Sequence, residues 1–297
     1  MRGESKLEPC NHTKLMNYII GMCKNHEDWI CVLKNLGYTP TIIEQRFRTT
    51  SGDTVKPDII VTSNKLVHSI VFECKGGITV DPDQLRRYNT LTEEDLRWVD
   101  VFSFDDFHFD VCIVDIQKNH LTILSHVDNK FPMITFGDEE VFKTGEFDEK
   151  KLEKVFQNPI SVKGKVPPLY YYPFCEEDEN AYIIPFIMRG LVSIAIKKAK
   201  GGSSVFDNEL ITKDEIIELV FNPVFKTLSK KQQGHLKKKI TDIMHLLLSM
   251  EETKDALGLI EGRKGYKISN QLEKLRTEAD KLIKKYETQQ FLTDMLF

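Results

Sequence analysis

Apolar positions near the start of the chain recur every three or four residues, which is the spacing of one helical face. We predict a helix over residues 13–36, broken near residues 25–26 and ended by Gly37. Residues 39–50 are instead rich in β-branched and aromatic side chains and predict a strand, which ends at a turn signal over residues 51–53. The apolar positions of the helical face are Leu15, Tyr18, Ile19, Met22, Trp29, Val32, Leu33 and Leu36.

Five segments within the first 126 residues predict strands. The second and third of them form a hairpin around a polar bend. A helix over residues 81–99 follows, because Asp81 can cap its first turn and Pro82 suits the first helical position. The order is therefore helix, three strands, helix, two strands, which is an α/β arrangement. The predicted strands are residues 39–50, 56–62, 66–75, 109–116 and 121–126.

A change in composition divides the rest of the chain. Residues 128–182 are rich in proline and acidic side chains, and we interpret them as a connector with some structure of its own. Its aromatic run at 170–172 fits a packed linker better than a base-stacking surface. Helical patterns dominate from residue 183 onwards, and Thr212 with Glu215 predicts a capping box. We therefore expect three regions: a first domain over 1–127, a connector over 128–182 and a mainly α-helical domain over 183–297.

Composition and charge narrow the class of protein. The 297 residues are 41% hydrophobic and 29% charged, with a formal net charge of −4, so the chain can bury a core and is not basic overall. It has no run of 18 apolar residues, and we expect no membrane span. The six cysteines form no CxxC pair, which argues against a structural zinc site. A reducing, cytoplasmic setting fits them best.

Charged side chains interrupt the apolar pattern at the ends of the hairpin strands. Glu73 and Lys75 are two residues apart and face the same side of a strand, while the Cys74 side chain points the other way. Asp58, at the mouth of the partner strand, can reach the same point. Two carboxylates beside a lysine suit a hard divalent cation, Mg²⁺ or Mn²⁺, with the main-chain carbonyl of Cys74 as a further ligand. Such an ion activates a bound water and stabilises charge on a phosphate, and Lys75 would orient or deprotonate that water or hold the phosphate.

Gln84 and Tyr88 are four residues apart on the predicted helix and share one face. From there they could contact a phosphate near the helix N-terminus or brace Lys75. Each has a competing structural role: Asp81-x-x-Gln84 is itself a capping box, and Tyr88 could be a core or rim aromatic residue. The three charged residues Asp58, Glu73 and Lys75, called the charged trio here, also have a simpler interpretation. Asp58 and Lys75 could form a cross-strand ion pair, and Glu73 could lie at a solvated strand end.

These residues resemble the signature of the PD-(D/E)xK nuclease superfamily. Pro57-Asp58 followed by Glu73-Cys74-Lys75 is similar to its catalytic motif, and Gln84-x-x-x-Tyr88 is similar to the additional motif of its RecB-type branch. The resemblance covers residues 13–126 and implies a restriction-endonuclease-like αβββαβ core. It also implies that Asp58 and Glu73 bind metal, that Lys75 assists the water, and that Gln84 and Tyr88 support DNA binding or the lysine. Some members add an acidic residue from the first helix, for which Glu27 and Glu44 are the candidates here.

A lysine-rich segment stands out in the second half of the chain. Residues 226–239 contain six lysines and no acidic residue, within a helix that we predict to extend to about residue 250. A small hairpin with a basic tip at Arg263 and Lys264 follows, and this layout resembles a winged-helix module. The lysines could neutralise phosphates or form only a solvated helix face, and the domain could equally serve dimerisation.

We therefore expect a metal-dependent deoxyribonuclease that hydrolyses DNA phosphodiester bonds, in the role of a restriction or phage-defence endonuclease. That role rests on analogy within the superfamily and not on any residue. A duplex cutter needs two active sites, so a homo-oligomer or a partner subunit is expected. Two alternatives stay open: a non-catalytic nucleic-acid-binding or assembly subunit of a defence or repair complex, and an RNA-directed nuclease on the same fold.

Overall fold

The computed structural model divides the chain into two compact units. One contains residues 11–172 and 227–229 and is called the sheet unit here; the other contains residues 1–10, 173–226 and 230–297 and is called the helical unit. The structure describes residues 9–97, 107–127, 130–168, 171–175, 177–200, 210–221, 228, 230–251, 253, 257–259, 265–268 and 277–281.

The sheet unit alternates strands and short helices along the chain. Its helices are α1 (Asn11–Met22), α2 (Val32–Asn35), α3 (Pro82–Asn89), α4 (Glu93–Arg97), α5 (His120–Val127) and α6 (Lys150–Val155). Its strands are β1 (Tyr38–Ile43), β2 (Phe47–Arg48), β3 (Thr54–Val55), β4 (Ile59–Ser63), β5 (His68–Cys74), β6 (His108–Ile116), β7 (Met133–Phe136), β8 (Glu140–Thr144) and β9 (Ile160–Ser161).

Seven of these strands form one mixed sheet in the order β1-β4-β5-β6-β7-β8-β9. β1, β4 and β5 pair antiparallel, β5, β6 and β7 pair in parallel, and β7, β8 and β9 pair antiparallel again. Every residue of β4 and β5 is buried, which explains why these segments are continuous apolar runs instead of alternating ones. The chain is thus an α/β protein with a mixed central sheet.

One face of the central strands builds a core with the helices that follow them. Ile60, Val71 and Ile113 lie in this core together with Leu85 of α3 and Ile123 of α5. Because side chains two residues apart share a face of a strand, the face that carries Val71 also carries position 73. The sheet therefore directs Glu73 towards the layer that contains α3.

The predicted strands at residues 39–50, 56–62, 66–75 and 109–116 correspond to β1, β4, β5 and β6. The first of them is interrupted, because Glu44 adopts a left-handed backbone with φ of 48°. The chain then forms the separate ribbon β2-β3 around the predicted turn at residues 51–53. The predicted helices are also shorter than expected: residues 13–36 contain α1 and α2, and residues 81–99 contain α3 and α4.

Two predictions in this unit are wrong. Residues 121–126 form helix α5 and not a strand; Ile123 and Val127 are buried one helical turn apart, while Leu121 is exposed. A short apolar run of this kind fits both the helical period of about 3.6 residues and the strand period of two. The predicted connector over 128–182 is not a connector throughout, because β7, β8 and β9 within it extend the sheet, and the sheet unit therefore runs beyond the predicted boundary at residue 127 to residue 172.

The described part of the helical unit combines helices with a small sheet. Its described elements are α7 (Asn180–Lys200), β10 (Leu210–Ile211), α8 (Lys213–Phe221), α9 (Lys230–Ser249), β11 (Leu257–Leu259) and β12 (Tyr266–Ile268). The three strands pair antiparallel in the order β10-β12-β11, which confirms the predicted hairpin. Its tip at Arg263 and Lys264 lies outside the described residues. The capping box is also confirmed, because Glu215 accepts a hydrogen bond from the Thr212 main-chain N–H (2.7 Å) while the Thr212 hydroxyl accepts one from that of Glu215 (3.2 Å).

Helix α7 has the length and composition of a membrane-spanning helix over residues Asn180–Lys198. Half of its apolar window is buried inside the structure, as in the core helix of a globular domain, which passes the same test. The expectation that no segment of the chain spans a membrane therefore stays a prediction.

Candidate active site

The charged trio lies where β4 begins and β5 ends. Asp58 directly precedes β4, and its Oδ2 accepts a hydrogen bond of 2.7 Å from the main-chain N–H of Cys74. The N–H of Lys75 donates to the Val114 carbonyl of the parallel neighbour β6, also at 2.7 Å. Main-chain bonds on both sides therefore fix the strand end that carries Glu73 and Lys75, before any side chain contributes.

The side chains of the trio are buried, and two of them, Glu73 and Lys75, are hydrogen-bonded to helix α3. Lys75 Nζ lies 2.9 Å from Glu73 Oε1 and 2.8 Å from Gln84 Oε1. The Tyr88 hydroxyl donates to Glu73 Oε2 at 2.7 Å and lies 3.0 Å from the Lys56 carbonyl oxygen. The structure thus joins Glu73, Lys75, Gln84 and Tyr88 in one network. Its charged members, Glu73 and Lys75, are only 5% and 9% exposed.

The local sequence explains how helix α3 positions Gln84 and Tyr88. Asp81 caps the helix by accepting a hydrogen bond from the Asp83 N–H, and Pro82 occupies the first helical position. The competing role of Gln84 in a capping box is not the contact found, since its amide oxygen faces Lys75. Tyr88 is both a core residue, 2% exposed, and a site residue through its hydroxyl.

Two residues outside the motif complete the site. His12, at the start of α1, places Nδ1 3.4 Å from the Cys74 carbonyl oxygen, and its Nε2 lies 3.7 Å from Glu44 Oε1 and 4.0 Å from Asp58 Oδ1. The ligand atoms of His12, Glu44 and Asp58 all lie within 4.8 Å of one another. Gly76 permits this approach, because a Cβ there would come within 2.6 Å of the His12 main-chain nitrogen.

Glu44 is held in place from two sides. Its Oε1 lies 3.2 Å from Lys56 Nζ, and its Oε2 accepts a 2.6 Å hydrogen bond from the Tyr172 hydroxyl. Its positive φ of 48° is an uncommon backbone conformation for a residue with a side chain. Backbone strain of this kind collects at functional sites, and here it coincides with the carboxylate nearest to His12.

The two carboxylates around His12 differ in their electrostatic surroundings. Burial and the neighbouring Glu73 carboxylate raise the pKa of Asp58 to about 7, although His12 and the Cys74 N–H act in the opposite direction. Burial also acts to raise the pKa of Glu44, but the hydrogen bond from His12, the charge of Lys56 and the Tyr172 hydroxyl outweigh it and lower that pKa to about 2. Asp58 and Glu73 therefore form a buried pair with more negative charge than the protein itself balances.

The pair opens onto a polar pocket of about 520 Å³. Asp58 and Glu73 lie among its lining residues, and three basic side chains line it as well: Arg46, Lys56 and Arg87. A pocket with buried carboxylates and basic walls can hold a cation together with an anionic ligand. The other lining residues are Thr54, Val55, Asp81, Gln84 and Tyr88.

The remaining sequence candidates have clear positions. The Cys74 side chain is buried, and burial raises the pKa of its thiol, so only its carbonyl, next to His12, is placed to act as a ligand. Of the two acidic candidates, Glu44 reaches the site and Glu27 is exposed in the loop after α1. His12 was missed by the sequence interpretation, because one histidine at a helix start has no distinctive spacing.

Comparison with known proteins identifies a family for this part of the chain. A family model described as MJECL32 domain matches residues 11–172, which are also the main segment of the sheet unit. No curated protein matches the chain. One similar solved structure is "cryoEM structure DrdV-DNA complex", at 11% sequence identity and a TM-score of 0.18. The alignment covers 88% of this chain but only 22% of that one, and a likeness at this TM-score carries no argument about fold or function.

Proposed function

The chain belongs to the MJECL32 domain family, and we propose that this member is a metal-dependent nuclease that hydrolyses DNA phosphodiester bonds. The observation that carries the proposal is the buried Lys75 ammonium, shared between the Glu73 carboxylate and the Gln84 amide oxygen, next to Asp58. An ion pair that served stability alone would gain little from such burial, since replacing buried pairs by apolar side chains is often neutral or stabilising.

The topology supports the superfamily resemblance on which the proposal also draws. Helix α1 precedes three antiparallel strands, β1, β4 and β5, and a helical segment then leads to β6, which runs parallel to β5. This order agrees with the αβββαβ order that the resemblance implies. The positions of the motif residues, at strand ends and on α3, also support the proposal.

The residues present fit the divalent cation that this chemistry needs, Mg²⁺ or Mn²⁺. Asp58 and Glu73 would hold it, with the Cys74 carbonyl, His12 and Glu44 close enough to contribute directly or through water. The fit follows from the donor set, because carboxylate and carbonyl oxygens are the ligands that such a cation prefers. A bound cation would also offset the burial and the Glu73 charge that raise the pKa of Asp58. When bound, such an ion lowers the pKa of a coordinated water and stabilises charge that develops on the phosphate.

The chain's own residues would position the reactants. Lys75 stands at the carboxylate pair with its ammonium fixed by Glu73 and Gln84, where it can orient the attacking water or contact the scissile phosphate. Tyr88 fixes the second oxygen of Glu73, so that this carboxylate cannot rotate away. Arg46, Lys56 and Arg87 line the pocket and would neutralise the phosphates on either side of the cleaved bond.

The helical unit supports a role in DNA binding. The order helix, strand, helix, helix, strand, strand and the sheet order β10-β12-β11 resemble those of a winged-helix module, and we propose that its third helix enters the major groove as the recognition helix of helix-turn-helix proteins does. Here that helix is α9, whose exposed lysines include Lys230, Lys231 and Lys238. We further propose that the protein acts in the cytoplasm as a restriction or phage-defence endonuclease, and that a second copy or a partner subunit supplies the other active site for duplex cleavage.

Cleavage assays test the proposal directly. Supercoiled, linear and single-stranded DNA and an RNA of the same length would be incubated with the purified chain and Mg²⁺ or Mn²⁺, alongside Glu73→Ala and Lys75→Ala. We expect the wild type to cut DNA and both variants to lose activity by about 10²–10⁴-fold. Cutting of RNA alone would redirect the proposal to ribonuclease activity.

Metal titration separates an enzyme from a binding-only subunit. By calorimetry, Mg²⁺ or Mn²⁺ should bind the wild type and bind the double variant Asp58→Asn/Glu73→Gln much more weakly. If no nucleic acid is cut and neither ion binds, the protein is a non-catalytic subunit and the nuclease proposal is wrong.

A further inference from the structure

Two thiols and a carboxylate of the helical unit meet in a cluster that shares no residue with the candidate active site. Cys10 Sγ and Cys175 Sγ are 3.3 Å apart, although 165 positions separate them in the sequence. The ligand atoms of Cys10, Cys175 and Asp178 all lie within 4.8 Å of one another. Neither cysteine forms a disulfide. The cluster joins the segments that immediately precede and follow residues 11–172.

Asp178 organises the main chain around both thiols. Its Oδ1 accepts a hydrogen bond of 2.6 Å from the Cys10 N–H, and its Oδ2 accepts one of 2.5 Å from the Cys175 N–H. Asp178 is 1% exposed. A carboxylate oxygen can accept more than one bond, so both oxygens keep the capacity to bind a cation while they fix the two cysteines. The three donors are thus held in place before any ligand arrives.

A buried hydroxyl beside the cluster is an independent sign of a ligand. Tyr182, in the first turn of α7, is 9% exposed, and among the described residues its hydroxyl has no hydrogen-bond partner. Asp178, Cys10 and Cys175 are its electrostatic neighbours, and after burial they are the groups that raise the pKa of Tyr182. Buried hydroxyls are nearly always hydrogen-bonded, and a water bound to a metal at the cluster would be such a partner.

We propose that Cys10, Cys175 and Asp178 bind one Zn²⁺ ion, with a water as fourth ligand that hydrogen-bonds to the Tyr182 hydroxyl. Two thiolates and a carboxylate match zinc, which takes sulfur and oxygen ligands in a tetrahedron, and not Mg²⁺, which takes oxygen. Zinc–sulfur bonds of about 2.3 Å place two sulfurs about 3.8 Å apart, so the thiols need to separate by only about half an ångström. Each thiol releases one proton when it binds the ion.

A zinc ion at this site would link the two chain segments that flank residues 11–172. An ion that binds both Cys10 and Cys175 links two segments 165 residues apart, and such a link removes conformational freedom from the unfolded chain. The inference does not depend on the nuclease proposal, because none of the three ligands belongs to the Asp58 site. The spacing of the cysteines argued against a structural zinc site, and only the fold brings these two together.

Metal analysis of the purified full chain tests the proposal. Protein expressed with zinc and desalted without chelator should contain about one zinc per chain. Cys10→Ser and Cys175→Ser should each reduce that content at least fivefold, while the matched control Cys31→Ser should retain it. Asp58→Asn should also retain it, which separates this site from His12, Glu44 and Asp58.

A spectroscopic titration covers the case in which the cysteine variants do not fold. Co²⁺ added to metal-free wild type should give the thiolate-to-cobalt charge-transfer absorption, and zinc should abolish it. Absence of both zinc and that absorption overturns the proposal, as does zinc that persists in both cysteine variants. Loss of two titratable thiols in denatured, unreduced, zinc-free wild type would instead identify a disulfide and would also overturn it.

Discussion

The charged side chains to which we assign a role in nucleic-acid cleavage or binding are buried in the sheet unit and exposed in the helical unit. In the sheet unit, Asp58, Glu73 and Lys75 are buried and fixed by hydrogen bonds. In the helical unit, Lys230 and Lys231 of α9 are exposed to solvent. Burial of charge costs free energy, so each buried charge needs a local reason, which can be an ion pair alone or chemistry at a defined point. Exposed charges cost little and suit a surface that contacts a polyanion through many weak interactions.

The largest expected effect distinguishes two buried lysines. Lys75 pairs with Glu73 at 2.9 Å and Lys143 pairs with Glu153 at 2.8 Å, and their side chains are 10% and 8% exposed. We expect Lys75→Met to lower the cleavage rate by about 10²–10⁴-fold, because only this ammonium lies at the carboxylate pair. Lys143→Met should keep the rate per folded molecule within about twofold. Equal losses in single-turnover assays would mean that the loss follows from breaking a buried ion pair and not from a role of Lys75 at the carboxylate pair.

The second effect concerns stability and depends on pH. The pKa of Asp58 is raised from 3.8 to about 7 in the folded protein, so folding favours the protonated carboxyl. Below pH 4 the group is protonated in both states, and as the pH rises from 4 to 7 ionisation stabilises the unfolded state relative to the folded one. In metal-free buffer at pH 8, Asp58→Asn should therefore raise the free energy of unfolding, by on the order of 2 kcal/mol, and should have little effect at pH 4.

Urea unfolding at both pH values measures this, and Glu153 provides a control of opposite sign. Burial acts to raise the pKa of Glu153, but Lys143 and the Phe147 N–H lower it below its usual value. Glu153→Gln should therefore destabilise the protein at pH 8. If Asp58→Asn destabilises the protein at both pH values, the raised pKa of Asp58 is wrong.

The third effect tests the exposed charges. Replacing Lys230, Lys231 and Lys238 by glutamine should weaken DNA binding about tenfold at fixed salt. The slope of log K against log salt should become shallower by about 2–3, since each phosphate contact contributes about 0.9. The same change at Lys150, Lys151 and Lys154, exposed lysines of the sheet unit, is the matched control and should leave both values unchanged. Equal losses of DNA affinity by the two triple variants in fluorescence anisotropy titrations would indicate a general effect of net charge.

The smallest effect compares two buried tyrosines. The Tyr88 hydroxyl donates to Glu73 at 2.7 Å, and that of Tyr38 is 2.8 Å from His68 Nδ1. Replacement of either by phenylalanine should reduce stability by about 1 kcal/mol. Only Tyr88→Phe should also lower kcat, by about fivefold, the equivalent of one hydrogen bond. A reduced kcat in Tyr38→Phe would show that kcat reports overall packing.

Rules that depend on a few neighbouring residues, such as apolar runs and helix caps, predicted several strands and helices correctly. The apolar runs of β4 and β5 and the Asp81-Pro82 cap of α3 are determined within a few residues, and β6 could be found in the same way. Asp58, Glu73, Lys75, Gln84 and Tyr88 came from strand phase, helix phase and the superfamily resemblance. The structure brings the five together: Asp58, Glu73, Gln84 and Tyr88 line one pocket, and Lys75 contacts Glu73 and Gln84.

Contacts between distant parts of the chain could not be predicted. His12 meets Cys74 across 62 positions, and Glu44 meets Tyr172 across 128, and no pattern in the sequence links such pairs. The strands in residues 133–161 were missed because each is short, between two and five residues, and lies among polar residues. Helix α5 was missed because its apolar spacing fits two periods.

The bond between Glu44 and Tyr172 has a consequence for how the protein is made. A ribosome synthesises the chain from its N-terminus, so Glu44 is added 128 residues before its tyrosine partner. Until Tyr172 leaves the exit tunnel, the carboxylate beside His12 lacks one of its two supports. The motif residues are all translated by then. The contacts around Glu44 are complete only when Tyr172, the last residue matched by the family model, is available. An incomplete chain on the ribosome therefore lacks the Tyr172 hydrogen bond that helps to position Glu44 in the candidate active site.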